Sequence, residues 1–342
     1  IKRGEPETLA GYRVHRVTGN IAIASGGKLV IQPGAIVKMA SGLVISVQGG
    51  GELEALGTRD LPIVITSIKD DAHGGDSNGD ENETMPQAGD WGRIETSGTV
   101  AMDYVTIAYA NNTGDRGVIH GSGGTIVFDN GVIEHSDSEC VRMNSGNFTA
   151  RNSVFRNAVA AFGYSGGAGT VCVNCIITNV AVGCRGGGKS FTNSIFYNVE
   201  QMTEQNGESS SFLYCVFYNP VGYGVQSFAK CGSNDNVWDD PLFTDAANGD
   251  YTLAANSPCI DAGDGTVSPS TDYWGNPRMN VLNVTDNGKP DENGFCPDIG
   301  IYEMPGDGEV STPDLYVTDL EFETKTYRQG DEMVVSWQDV ND

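Results

Sequence analysis

The chain has 342 residues, 46 of them glycine, and carries 45 Asp+Glu against 20 Lys+Arg, a formal charge of −25. A surface this acidic repels nucleic-acid phosphates and anionic lipid, and no apolar run reaches the ~18 residues of a membrane span, so neither nucleic-acid binding nor membrane insertion is expected. Glycine lacks a strict period of three, which excludes collagen, and 39% hydrophobic residues suffice for a core at this length. The acidity fits either a solvated surface or the binding of divalent cations. The chain begins at Ile1 with no apolar signal segment, as expected of a mature secreted form or a trimmed chain. The eight cysteines suit an oxidising compartment but are too sparse for a disulfide scaffold. Cys172 and Cys175 stand close together, yet no second pair matches them as a zinc site requires.

Residues 17–57 read as strand, glycine turn, strand, glycine turn, and LPIVITS (61–67) follows as another strand. Next comes DDAHGGDSNGDENET (70–84), in which Asp76, Asn78, Asp80 and Asn82 alternate. Short oxygen side chains at alternate positions of a tight loop converge on one centre, which suits a hard cation such as Ca²⁺. The stretch resembles calcium loops of EF-hand and dockerin type. It departs from them at Glu81, where a glycine is expected, and at Gln87, where those loops place a bidentate acid. Asp70, Asp71 and Asp90 are near enough in sequence to complete a shell. A second acidic turn, with Asp286, Asp291 and Glu292, has looser spacing and reads as plain surface.

Six segments then align: YVTIAY (104–109), NGVIEH (130–135), NSVFRN (152–157), NCIITN (174–179), NSIFYN (193–198) and YCVFYN (214–219). Their starts step by 26, 22, 22, 19 and 21 residues, the period of a solenoid whose β-rich units bury their apolar faces only by stacking. Strand alternation assigns Ile107, Ile133, Phe155, Ile177, Phe196 and Phe217 to one inward ladder. Val105, Gly131, Ser153, Cys175, Ser194 and Cys215 form a second, and Phe128, Ala150, Cys172, Phe191 and Phe212 a third. The last motif position (Tyr109, His135, Asn157, Asn179, Asn198, Asn219) is expected to be an asparagine ladder in the left-handed region, on coils stacked ~4.8 Å apart. Leucine-rich and helical repeats fail, because neither L-x-x-L-x-L nor a persistent 3.6-residue stripe occurs. After 220 the coils lose regularity.

GGKLVIQPGAIVKM (26–39), LEALGTRDLPIVITS (53–67), AGDWGRI (88–94), MDYVTIAYA (102–110), the closing DDPLFTDAANGDYTLAANSPCIDAGD (239–264) and DIGIYE (298–303) resemble secreted bacterial right-handed parallel β-helix proteins of the pectate-lyase-like superfamily. The resemblance spans about 1–304. It implies an all-β, right-handed parallel β-helix and a secreted location, while the family's activities range from lyases and hydrolases to adhesins. The expected organisation is a β-helix over 1–304 with a calcium-loop insertion at 70–90 and a closing segment at 235–304. A linker follows at 305–313. Residues 314–342 resemble the opening strands of a CARDB-type immunoglobulin-like module, a short β extension from a sandwich that needs about 100 residues.

Catalytic residues are sparse. A pectate-lyase-like site needs Ca²⁺ held by acids on one strand face beside a basic residue. The outward slot reads Ala108, Glu134, Arg156, Thr178, Tyr197, Tyr218. It offers one acid–base neighbour pair, Glu134 and Arg156, whose plain reading is a cross-coil salt bridge, and two tyrosines, Tyr197 and Tyr218, able to stack on sugar rings. The other outward slot (Thr106, Val132, Val154, Ile176, Ile195, Val216) is apolar and calls for a cover, for which the segment after 220 is the candidate. Arg142 and Arg185 are a candidate basic patch, while His120 and His135 read as structural. Cys259 and Cys296, in the two closing motifs, are expected to pair. Cys175 and Cys215, like Cys140 and Cys184, lie two coils apart and too far to bond. The functional expectation is a calcium-stabilised extracellular or cell-surface module for adhesion or polysaccharide binding. A polysaccharide lyase or related carbohydrate-active enzyme is the first alternative and a fibre subunit the second.

Overall fold

The structure is a computed structural model that describes residues 1–81, 83–111, 116–164, 169–204, 210–218, 235–281 and 284–305. The linker from 306, the CARDB-like stretch, Asn82 and Asn219 lie outside the described residues.

Each aligned segment is a short extended run between two left-handed residues. Tyr104 and Tyr109, Asn130 and His135, Asn152 and Asn157, Asn174 and Asn179, and Asn193 and Asn198 all have φ between 47° and 61°. A single left-handed residue between two strands bends the chain sharply, and asparagine tolerates that conformation better than other residues with a Cβ. Two such bends per turn, with glycine corners elsewhere, wind the chain into an all-β, right-handed parallel β-helix of about nine coils.

Three parallel sheets result. The first runs through Val14–Val17, Ile36–Met39, Ile63–Ser67, Val105–Ala108 and Val132–Glu134, and on through the starts of Val154–Phe162, Ile176–Arg185 and Ile195–Glu204 to Val216–Tyr218. The second contains Ile21–Ile23, Ile45–Val47 and Ile94–Thr96 and continues into the first halves of Gly117–Asp129 and Glu139–Arg151. The third holds Glu7–Leu9, Lys28–Ile31, Glu52–Leu56 and Thr99–Asp103, the second halves of those two long strands, then Gly169–Val173, Lys189–Thr192 and Ser211–Leu213. One corner admits only glycine: Gly124 has φ +70°, and a Cβ there would sit 1.9 Å from the Gly98 carbonyl oxygen.

The three expected ladders form in register. Ile107, Ile133, Phe155, Ile177, Phe196 and Phe217 pair rung to rung and are buried. Phenylalanines from neighbouring ladders interlock, with Phe155 and Phe162 at 4.8 Å and Phe191 and Phe196 at 5.1 Å between ring centroids. The small second ladder makes room for them, its Ser153 and Ser194 returning their hydroxyls to the carbonyls of Arg151 and Thr192.

The closing segment lies on the outer face of the first sheet. Val154, Ile176, Ile195 and Val216 form one buried cluster with Tyr251, Leu253, Ile260, Ile299 and Ile301. The outward apolar stripe is therefore covered by the stretch after 220. A small antiparallel pair, Phe243–Asp245 with Asp250–Leu253, is part of that cover. A hydrogen-bonded asparagine ladder runs along the first motif position. Asn152 donates to Asn130 at 3.2 Å, and Asn193 to Asn174 at 3.2 Å. The same amides bind the closing segment: Asn152 donates to the Thr271 carbonyl, Asn174 to those of Asp298 and Gly300, and Asn193 to that of Asp264.

The expected Cys259–Cys296 bond does not form, and the seven cysteines among the described residues are all free thiols. The register explains it. The Ile299 N–H meets the Cys259 carbonyl and the Gly263 N–H meets the Pro297 carbonyl, so Ile299 stands opposite Cys259 and Cys296 lies further along. Burial pushes the Cys259 thiol up to about 12, which leaves it an inert apolar filler.

The closing segment also buries carboxyls. Burial pushes Asp298 up to about 7 and Asp261 up to about 6. In the unfolded chain both titrate near ~4. The folded state therefore holds more protons between these limits, and the stabilisation is full below pH ~4 and lost as pH rises toward ~7. Thermal unfolding in EDTA is expected at a higher temperature at pH 5 than at pH 7.5. Asp298→Asn should flatten that dependence, and an unchanged slope in the variant would refute the assignment.

Candidate metal centre and the neighbouring rung

The insertion leaves the first sheet after Ser67 and returns at Trp91, whose indole N–H is fixed on the Ala108 carbonyl at 2.8 Å. The loop roofs Lys38, an outward residue of Ile36–Met39 that is 0% exposed and donates to the Gly75 carbonyl at 2.5 Å. Burial lowers the Lys38 pKa against the opposing pull of Asp71, Asp70 and Asp76.

Within the loop, Asp71, Asp76 and Asp80 place carboxylate oxygens within 4.8 Å of one another. Both carboxylate oxygens of Asp71, Oδ1 of Asn78 and Oδ1 of Asp80 are buried with no hydrogen-bond partner. Four orphaned oxygens in one loop contradict the rule that buried polar groups are satisfied, and hard oxygen donors at this density fit a calcium ion. Asp76 shapes the turn by accepting the N–H groups of Gly79 at 2.6 Å and Glu81 at 3.1 Å. These bonds hold its carboxyl below the usual range. Asn78 donates to Asp80 Oδ2 at 2.7 Å, which aims its own Oδ1 the other way. Glu81 takes φ +54°, so the position where related loops carry glycine is left-handed here as well.

Two of the three acids expected to complete the shell, Asp70 and Asp90, accept hydrogen bonds at the ends of the loop. Asp70 accepts from Thr66 Oγ1 at 2.6 Å and His73 Nδ1 at 2.8 Å. Burial opposes its charge, but these bonds outweigh it and lower its pKa. Asp90 accepts from Ser67 Oγ at 2.8 Å, Lys69 Nζ at 2.7 Å and the Gln87 N–H at 3.0 Å. They brace the two ends of the loop, between which Asp71, Asp76 and Asp80 cluster.

On the neighbouring rung, Glu134 and Arg156 form the expected salt bridge at 2.7 Å, and Arg156 also donates to the Tyr251 hydroxyl at 3.3 Å. A guanidinium so engaged is a packing residue. Tyr197 and Tyr218 stack at 5.6 Å, and Tyr197 lies edge-on to Phe243 at the seat of the closing segment. Arg142 and Arg185 converge as their offsets suggest, on the fully buried Glu139 at 3.5 and 3.2 Å, which satisfies much of their charge within the fold. His135 stacks on Tyr109 at 5.0 Å in its structural corner. Asp291 and Asp286 accept hydrogen bonds from within their own loop, as a plain surface turn does. A wide, shallow groove of about 730 Å³ follows the corner after the first sheet, edged by Asn157, Asn179 and Asn198.

Among solved structures, one titled "Crystal structure of pectate lyase Pel9A" is similar with a TM-score of 0.43 and 11% identity, covering 87% of this chain and 98% of that chain. No protein-family model and no curated protein matches the chain. No helix among the described residues is long and apolar enough to cross a membrane.

Proposed function

We propose that the chain is a calcium-stabilised β-helix module, secreted or displayed at the cell surface, that binds polysaccharide in an adhesive role. The observation carrying this reading is the set of orphaned oxygens on Asp71, Asn78 and Asp80 beside Asp76. Calcium there would neutralise clustered charge and fix the roof over Lys38, so the ion's part is structural. The polysaccharide part is supported by the sequence resemblance and by open polar grooves along the coils. Trp274, 39% exposed and 4.3 Å from Tyr302, offers a further surface for a sugar ring. The salt-bridged Arg156 supports binding over catalysis, because a base tied to Glu134 and Tyr251 is poorly placed to accept a proton.

The test is a calcium titration followed by thermal unfolding, with electrophoresis through polysaccharide-containing gels. A ligand that binds only the folded state adds about 2.7 kcal/mol at a hundredfold excess over its dissociation constant. The midpoint should rise with Ca²⁺, and Asp80→Ala should abolish the rise. Mobility should fall in at least one polysaccharide gel. An unmoved midpoint at millimolar Ca²⁺ refutes the metal, and unretarded migration through every gel refutes the glycan.

A further inference from the structure

The second sheet carries a polar pocket lined by none of the clustered acids Asp71, Asp76 and Asp80. Its outward rung reads Ser46, Glu95, His120, Arg142 on four successive coils, each in register with the next. A cavity of about 270 Å³ opens beside it, lined among others by Gln48, Glu95, Ser97, Arg116 and His120. Arg93 binds Glu95 at 3.0 Å, and Arg116 approaches the same carboxylate oxygen at 3.8 Å. Among the described residues, three guanidinium groups, Arg93, Arg116 and Arg142, thus stand against two carboxylates, Glu95 beside the first two and Glu139 beside the third. That is a positive island on a chain whose net charge is −25, and it favours anions over cations.

His120 shows what is missing. It is 8% exposed, and its Nε2 lies 3.3 Å from the side-chain amide nitrogen of Asn144. An amide nitrogen only donates, so Nε2 is the acceptor and the proton of the neutral ring sits on Nδ1. Burial, reinforced by Arg116, Arg93 and Arg142, lowers the pKa of the ring and keeps it neutral. Nδ1 is buried without a partner. A residue lining the pocket thus holds an unused N–H donor, beside a half-exposed guanidinium, and such donors suit an oxygen that carries negative charge.

We propose that this pocket binds an oxyanion, accepting hydrogen bonds from His120 Nδ1 and Arg116, with Ser97 and Gln48 available to further oxygens. The chemistry is shared by sulfate and by a carboxylate borne on a sugar. The proposal goes beyond the calcium-stabilised module and does not depend on it.

The experiment follows histidine ring ¹H–¹⁵N correlations in EDTA while inorganic sulfate or glucuronate replaces chloride at constant ionic strength. His120→Gln identifies the His120 signals by their loss. Those signals should move saturably, and Arg116→Gln, verified as folded by circular dichroism, should weaken the apparent affinity at least tenfold. Tighter binding of sulfate marks a free inorganic ligand and tighter binding of glucuronate a sugar-borne one. Either outcome upholds the site. His120 signals that stay still, or that move identically in Arg116→Gln, overturn it. Because calcium is absent throughout, this failure is distinct from failure of the metal reading.

Discussion

Arg278→Met is expected to destabilise the protein by about 3–5 kcal/mol, the cost of breaking a buried ion pair by removing one partner. Arg278 sits under the closing segment with its side chain 4% exposed, donating to Glu303 Oε2 at 2.8 Å. Its second terminal nitrogen reaches Asn152 Oδ1 at 2.9 Å and the Gly300 carbonyl at 3.1 Å. Methionine fills a similar volume but leaves Glu303 buried with only the Met279 and Asp298 N–H groups as donors. Burial and the neighbouring Asp298 already push the Glu303 pKa up, so removing the guanidinium removes the main force opposing that shift. Urea denaturation should register the loss, and limited proteolysis should cut the closing segment first. An unfolding midpoint within error of the unsubstituted chain would show that the ion pair adds nothing to the fold.

Phe155→Ala should cost a similar amount, about 3–5 kcal/mol, through lost burial and the cavity left behind. The ring touches three others, at 4.8 Å to Phe162, 6.0 Å to Phe128 and 6.4 Å to Phe148. Its neighbours on the ladder, Ile133 and Ile177, are fixed by the strand register and have little freedom to collapse into the space. Urea titration should move the midpoint with an unchanged slope. A smaller slope would instead indicate that the stack divides at this coil.

The ladders were legible because a period of two in the strand and a period near 22 along the chain leave one consistent assignment of sides. Phe155 and Ile177 could each be placed without coordinates. The polar belt was not legible, since its contacts join residues with no shared period: Asn152 meets Thr271 and Arg278, and Asn174 meets Gly300. The left-handed asparagines at the last motif position follow from their spacing, whereas the bonds from Asn152 and Asn193 to the closing segment do not. In the acidic loop the alternation pointed to Asp76 and Asp80, which the structure brings together with Asp71. Asp70 and Asp90, added on proximity in sequence, accept hydrogen bonds from Thr66, His73, Ser67 and Lys69. His120 was read as structural, and only the amide of Asn144 on one ring nitrogen reveals that the other is unused.

The cover over the first sheet has a consequence for the order in which the molecule is made. Coils that emerge first can stack as they appear, each on the one before. Until the last part of the β-helix is synthesised, however, Val154, Ile176, Ile195 and Val216 face water as a continuous apolar stripe, flanked by asparagine amides that still lack the closing segment's carbonyls. A nascent chain paused before that point is adhesive toward its own kind. Arrival of Ile260, Arg278 and Ile299 converts an open stack into a sealed one, and the final residues of the β-helix act as the signal that the whole has been delivered.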